Sequence, residues 1–244
     1  MELYEKTRRA ETQIARLFST EKPFSGHLTK REDAALPDKY DHNCFVYSAQ
    51  PSSDELRRAL AYQRARGDMF LKLEGDAPLW DAFGMEESVT LTMALTGDSS
   101  SWMRNPAVAF HKPALTDLET LEVQNFGAVY GEDFCRRNIR RLYAVLDYHG
   151  AYLDGQLVGA CYSAQAAGCT CIDGLIVAPQ FRHRRVATSL LAQIAADAAG
   201  TLVFLHADAA DMPKTMYEHL GFQTVDRLYE YLCVDFSILE RALK

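Results

Sequence analysis

The 244-residue sequence has no apolar run long enough to cross a bilayer as a helix, no C-x-x-C pair among its six cysteines, and no G-x-x-x-x-G-K-[S/T] loop. The first absence excludes a helical membrane span. The second excludes zinc held by paired thiolates, and the third the nucleotide-triphosphate enzymes that cradle phosphates in such a loop. Met1-Glu2-Leu3-Tyr4-Glu5-Lys6 does not begin a signal peptide, so a cytoplasmic protein is expected. Positive charge is in short supply too: 26 Lys and Arg stand against 33 Asp and Glu, and a net charge of −7 argues against a general nucleic-acid binder. In a reducing compartment the cysteines read as small buried hydrophobes. Cys169 and Cys171, on one strand face, fit that reading better than a metal site.

With 48% hydrophobic residues the chain can bury an ordinary core, as one large domain or two small ones. Its most informative stretch runs from Thr170 to Gly200. Cys171-Ile172-Asp173-Gly174-Leu175-Ile176-Val177 reads as a mostly buried strand, which Ala178-Pro179 ends because proline has no N–H to donate. Gln180-Phe181-Arg182-His183-Arg184-Arg185 follows. Val186, Leu190, Ile194 and Ala198 then form one helical stripe that Gly200 closes. A helix N-terminus carries unpaired N–H groups and about half a positive charge, so it favours an anion. Three arginines and a histidine strengthen that attraction. The same residues also suit a solvated charge run at a strand-to-helix corner.

Val177-Ala178-Pro179-Gln180-Phe181-Arg182-His183-Arg184-Arg185-Val186-Ala187 resembles the acyl-CoA signature of the GNAT N-acetyltransferase superfamily, with Arg185 where the family usually has glycine. The sequel comes at the right distance. Thr201 to His206 reads as a strand, a short helix runs from about Pro213, and Tyr217 stands four residues before Gly221-Phe222, like the family's second hallmark. Leu228 to Val234 would close the sheet. The resemblance implies an α/β (α+β) fold, a mixed twisted sheet with flanking helices, and acetyl-CoA as acyl donor. It places Leu175, Ile176 and Val177 along the pantetheine arm and acyl oxygen. It places Arg182, His183, Arg184, Arg185, Val186, Ala187 and Thr188 around the diphosphate.

The N-terminal half is plainer. Residues 1 to about 19 read as a helix, and Ser19 to Asp41, with Pro23, Gly26 and Pro37, as an irregular strap in which no chemistry is visible. A strand at Cys44–Ser48, a helix at Asp54–Arg66 capped by Asp54, a strand at Met69–Leu73, a helical turn at Leu79–Met85 and a strand at Ser88–Leu95 follow. In element order these resemble the latter half of a GNAT fold without its opening strands. Gln50-Pro51-Ser52-Ser53 lacks an arginine where a phosphate would sit, and Trp80 stands where Tyr217 stands in the other half, so this copy is not expected to bind coenzyme A. The expected organisation is a helix and strap at 1–40, a partial GNAT-like domain at 41–97, a linker at 98–106 and a catalytic domain at 107–244. Ahead of the signature come a helical region from Thr116 to about Leu146, a hairpin turning at Asp154-Gly155, and a turn at Ala166-Ala167-Gly168.

In chemical terms, acyl transfer from a thioester to an amine needs a held donor, a polarised carbonyl, a neutral amine and a protonated leaving thiolate. Tyr217 is the candidate acid, since a phenol of ordinary pKa near ~10 matches a departing thiolate. Asp173, sharing a strand face with Leu175 and Val177, is the candidate base; Glu119, Glu132 and His206 are weaker ones. Tyr217 equally suits a half-buried core position, and Asp173 a structural hydrogen bond. Arg136, Arg137, Arg140 and Arg141 could read an acidic acceptor, though a solvated helix face explains them better. The leading reading is direct transfer to a small-molecule or peptide amine by a monomer or homodimer with no nucleic-acid or membrane partner. Its rival is a non-catalytic CoA-binding or partner-binding degenerate tandem.

Overall fold

A computed structural model describes residues 2–198, 200–211 and 213–244. In chain order its elements are α1 (Leu3–Ala15), β1 (Thr20–Ser25), β2 (Leu28–Glu32), β3 (Phe45–Tyr47), α2 (Ser53–Arg66), β4 (Leu71–Gly75), β5 (Glu86–Leu95), β6 (Ala109–His111), α3 (Leu115–Tyr130), α4 (Glu132–Tyr143), β7 (Asp147–Leu153), β8 (Gln156–Ala166), β9 (Cys169–Val177), α5 (Val186–Asp197), β10 (Leu202–Asp208), α6 (Pro213–His219), β11 (Phe222–Cys233) and α7 (Phe236–Ala242). The fold is mixed α/β with flanking helices, in two compact units. One comprises residues 1–14, 93–206 and 215–223, and the other 15–92, 207–214 and 224–244.

In the first unit the strand order is β10-β9-β8-β7-β6. β6, β7, β8 and β9 pair antiparallel in turn, and α5 carries the chain over to β10, which runs parallel to β9. Both hairpin turns have the left-handed residues that a two-residue connection requires: Asp154 (φ 49°) with Gly155 (φ 78°), and Ala167 (φ 50°) with Gly168 (φ 75°). The helical region divides at Gly131, whose φ of 85° no β-carbon tolerates well. α6 ends at Gly221 (φ 87°), a residue with two duties. Its carbonyl accepts hydrogen bonds from the N–H groups of Thr96 (3.1 Å) and Gly97 (3.3 Å), and a β-carbon on Gly221 would lie 3.2 Å from the Gly97 Cα.

The second unit has the order β1-β2-β3-β4-β11-β5. Here the expected strap from Ser19 to Asp41 is corrected: it contains the hairpin β1–β2, so the opening strands are present. Pro23 does not prevent this, because β1 is an edge strand whose missing N–H costs no ladder bond, and Gly26 (φ 51°) turns the chain. β1, β2 and β3 pair antiparallel, and α2 then crosses to β4, which runs parallel to β3. The succession β7-β8-β9-α5-β10 is thus repeated element for element. The core of this unit gathers Leu28, Phe45, Leu56, Leu60, Leu71, Leu73, Tyr231 and Leu239.

Two local expectations change. The N-cap of α2 is Ser52, not Asp54: its side chain accepts from the Glu55 N–H while Glu55 returns to the Ser52 N–H, a complete capping box. Leu79–Met85 is an irregular turn held by left-handed Phe83 and Gly84, not a helix, and Trp80 there is 81% exposed.

Candidate active site

Strand β9 contains one residue more than its partner. Tyr162 of β8 faces Asp173 and Ala160 faces Ile176, so β9 advances three residues where β8 advances two. The surplus is taken up at Gly174, which has φ 62°; a β-carbon there would lie 2.5 Å from the Tyr162 ring. Such a bulge reverses the alternation of side chains beyond it. Ile176, not Leu175 or Val177, therefore continues the face of Asp173, which corrects the shared face expected from simple alternation. Val177 instead packs with Gly159 and Val186, and a β-carbon on Gly159 would stand 2.9 Å from Val186.

The partnership of β9 with β10 is short. Among the described residues the parallel ladder ends at Ile172–Leu205. From Asp173 to Val177 the strand continues with β8 on one side and no ladder on the other. These residues are partly exposed in the middle of a sheet, and Gly174 is the most open of them. Backbone N–H and C=O groups held in a row but unclaimed by a neighbouring strand are what an extended amide-bearing ligand can pair with.

At the end of that slot is the basic corner. Pro179–Phe181 makes one tight turn, His183 (φ 61°) and Arg185 (φ 59°) are left-handed, and α5 begins at Val186. The first helical bond runs from the Ser189 N–H to the Arg185 carbonyl (3.0 Å), so the N–H groups of Val186, Ala187 and Thr188 have no carbonyl a turn behind them. Arg182, His183, Arg184 and Arg185 are all exposed. Arg182 donates to the Val177 carbonyl and to Asn125 Oδ1, both at 3.3 Å, and the Arg184 guanidinium lies 5.3 Å from the Phe181 ring centre. Arg185, standing where the resembled signature has glycine, is in the left-handed conformation that glycine takes without strain, and its side chain is exposed. The expected linker at 98–106 is tied to this corner. The Asn105 N–H donates to Ser189 Oγ (2.8 Å), its side-chain amide to the Arg184 carbonyl (3.0 Å), and Arg104 to the Ala192 carbonyl (3.0 Å).

Asp173 lies where the two strands part. Its carboxylate accepts from the Gly174 N–H (2.7 Å) and from the Tyr162 hydroxyl, and lies 3.7 Å from His206 Nδ1 on β10. Although 43% of the side chain is open, the surrounding protein still desolvates it. The His206 bond and charge, with the Gly174 N–H and Tyr162, outweigh that penalty and hold the carboxyl below its ordinary pKa. For His206, burial favours the neutral ring, but Asp173, Cys171 and Glu11 prevail and raise it well above the ordinary histidine value. Tyr217, on α6, is buried with its ring edge toward Phe222, 6.0 Å between centres. The arginines of α4 are engaged close to home. Arg140 (2.6 Å) and Arg136 (3.5 Å) pair with Glu119 of α3, which lowers the Glu119 pKa, and Arg137 pairs with Asp133 (2.8 Å). Both carboxylate oxygens of Glu119 are thereby engaged by arginines.

Residues 144–224 match the sequence model of the acetyltransferase (GNAT) domain. The chain carries a GNAT domain. Solved structures share the GNAT architecture over nearly its whole length. A conserved protein of unknown function from Staphylococcus epidermidis is 17% identical, with 89% of this chain and 94% of that one covered and a TM-score of 0.76. A GCN5-related N-acetyltransferase from Kribbella flavida is 18% identical, with 95% of each chain covered and a TM-score of 0.63. A tandem GNAT protein from the clavulanic acid biosynthesis pathway is 14% identical, with 86% and 80% covered and a TM-score of 0.53. At these identities the likeness concerns fold. No curated protein matches the sequence.

The GNAT domain's corner can be set against its counterpart in the other unit, the start of α2. There the Glu55 carboxylate, besides closing the capping box, accepts from the His27 N–H at 2.5 Å, and a β-carbon on Gly26 would collide with it. That helix start holds its own anion, whereas α5 has no side-chain cap. Asp41, Glu74 and Glu230 come together around the buried Lys72 ammonium, at 2.5, 3.1 and 2.5 Å, and that cation fills their centre. Among the described residues no helix is long and apolar enough to cross a membrane, and the six cysteines are buried and unpaired with one another.

Proposed function

We propose that this GNAT-domain protein is an N-acetyltransferase that moves an acetyl group from acetyl-CoA to a primary amine by direct attack in a ternary complex, in the cytoplasm. The observation that carries the reading is the parting of β9 from β10 beyond Ile172–Leu205, with the Gly174 bulge beside it and the uncapped start of α5 at its end. The open backbone from Leu175 to Val177 accommodates the amides of a pantetheine arm. The N–H groups of Val186, Ala187 and Thr188, under the positive end of α5 and ringed by Arg182, His183, Arg184 and Arg185, suit a diphosphate. Two left-handed non-glycine residues in three positions are a strained arrangement of the kind that collects at ligand clamps.

Binding at both ends lays the thioester along the edge near Gly174, where a backbone N–H polarises the acyl oxygen. The neutral amine attacks the carbonyl carbon, the C–S bond breaks, and the departing thiolate takes a proton from the Tyr217 hydroxyl. The proton that the acylated nitrogen sheds to solvent balances the one that restores the phenol. Asp173 accepts hydrogen bonds from the amine as it enters. The unit containing α2 has no role in holding coenzyme A, its corresponding anion site being filled by Glu55.

Thermal shift with acetyl-CoA, CoA and longer acyl-CoAs tests the slot, because a ligand that binds only the native state raises its midpoint. Thiol release with putrescine, tyramine, lysine and an alanyl peptide tests the transfer. A raised midpoint with no thiol release from any of these amines favours the rival reading, a CoA-binding module without catalysis. No shift at all removes both.

A further inference from the structure

Helix α1 lies outside the segment that matches the GNAT domain, and its sequence shows only charges among a few apolar residues. It nevertheless reaches the sheet where β9 and β10 part. Glu11 Oε1 lies 2.9 Å from His206 Nε2, and one turn away the Lys6 carbonyl accepts from the Cys169 thiol (3.7 Å). The His206 ring thus has a carboxylate at each nitrogen: Glu11 at Nε2, and Asp173 at Nδ1, 3.7 Å away. Phe204 fixes its plane edge-on at 5.8 Å. The groups facing the ring are Glu11 from α1 and Asp173 and Cys171 from β9. Asp173 is the member open to the slot, at 43% exposure, while Glu11 and His206 lie behind it at 27% each.

Resting on the acetyltransferase reading above, we propose that Asp173 and His206 together receive the proton of the incoming ammonium, with Glu11 of α1 as the positioning residue that fixes the histidine.

Asp173 alone makes a poor base, since its neighbours stabilise its charged form. The row supplies a better acceptor behind it. Above its raised pKa the ring is neutral, and with Nε2–H donated to Glu11 it then presents the Nδ1 lone pair toward Asp173. The ammonium N–H bond breaks, and the proton passes by Asp173 Oδ2 to Nδ1. The electron pair left on nitrogen is the one that attacks the thioester carbon. The proton later leaves Nδ1 for solvent by way of Asp173, the most exposed member of the row, which restores the same tautomer. Glu11 thereby holds the ring in one orientation and one tautomer, as a carboxylate behind a catalytic imidazole does.

Glu11→Gln keeps the size and removes the charge. In thiol-release assays with whichever of the four amines gives the highest wild-type rate, the acid limb of kcat/KM should move down by about one pH unit. The plateau should fall roughly threefold, as a weaker base gives a slower proton transfer. KM for acetyl-CoA should not change, and Glu11→Asp should return the limb toward wild type. An unmoved limb in Glu11→Gln, with rate lost evenly at every pH, overturns the proposal and leaves the acetyltransferase reading standing. A wild-type protein that binds acetyl-CoA but acetylates none of the amines removes that reading and the proposal with it. Should Glu11→Gln prove too inactive to profile, ring 15N titration of His206, assigned by its loss in His206→Asn, decides. A midpoint unchanged by Glu11→Gln overturns the proposal, and a lowered one supports it.

Discussion

Replacing Arg185 by glycine separates two effects that the corner combines. Arg185 is left-handed (φ 59°, ψ 22°) at the N-cap of α5. An L-residue there costs about 1–2 kcal/mol relative to its preferred regions. Glycine removes that strain but returns about 0.4–1 kcal/mol to the unfolded chain as freedom. The net expectation is a gain between nothing and about 1 kcal/mol, a midpoint rise of no more than about 4 °C for a chain of this size. Ligand binding should change in the opposite sense. The exposed guanidinium adds one screened ion pair to a diphosphate, worth up to about 1 kcal/mol, while the helix N–H groups stay in place. Acetyl-CoA affinity should fall about fivefold or less in Arg185→Gly, by calorimetry at low salt, and the gap should narrow as salt rises. Acetyl-pantetheine, which has no diphosphate, should bind both proteins alike. Tighter acetyl-CoA binding by the glycine variant would refute the reasoning, because it would mean the side chain obstructs the corner instead of serving it. A midpoint lowered by several degrees would refute the strain argument separately.

Four further outcomes follow from the geometry. Tyr217→Phe should lower kcat by about a hundredfold or more, the usual contribution of a general acid, while the acetyl-CoA thermal shift stays as in wild type. Gly221→Ala places a β-carbon at φ 87° and 3.2 Å from the Gly97 Cα, and should cost about 2 kcal/mol, a drop of roughly 4–8 °C in Tm by calorimetry. His206 has a folded pKa above its unfolded one, so its contribution to stability is full below about pH 6.5 and vanishes as pH rises through the higher folded value. Denaturant unfolding of wild type and His206→Asn should therefore differ most in mildly acidic solution and converge in alkaline solution. Convergence on acidification down to pH 6 would contradict the sign. Glu55→Gln removes an anion from the start of α2 and the charge that assists three hydrogen bonds, and should lower stability by about 1–2 kcal/mol in urea titration.

The sequence disclosed what depends on residues near one another in the chain. Val177 to Val186 announced strand, corner and helix because proline ends a ladder and the apolar positions of α5 recur with the helical period. Tyr217 and Gly221 announced a short helix and its stop. The Arg136–Arg141 run was already better explained as a helix face, and its pairing with Glu119 and Asp133 agrees. The features that escaped depend on partners. Pro23 and Gly26 signal a loop wherever they occur, and only the edge position of β1 allows them in a hairpin. The surplus residue at Gly174 is a property of β9 measured against β8, so neither the bulge nor the reversed face of Val177 could be read from β9 alone. Glu11 meets His206 across most of the chain, and nothing in the spacing of α1 distinguishes it from the other acidic residues there.

The Gly174 bulge has an implication for how such a protein changes over generations. A substitution alters one side chain, but the loss of a single codon at 174 or 175 would exchange the inward and outward sets of everything from there to the end of β9. It would also turn the row of open amides by half a pleat. Insertion and deletion are therefore the sharp instruments at this position. A descendant lineage that gave up acyl transfer could show it first as a strand one residue shorter, with every familiar motif residue still in the text.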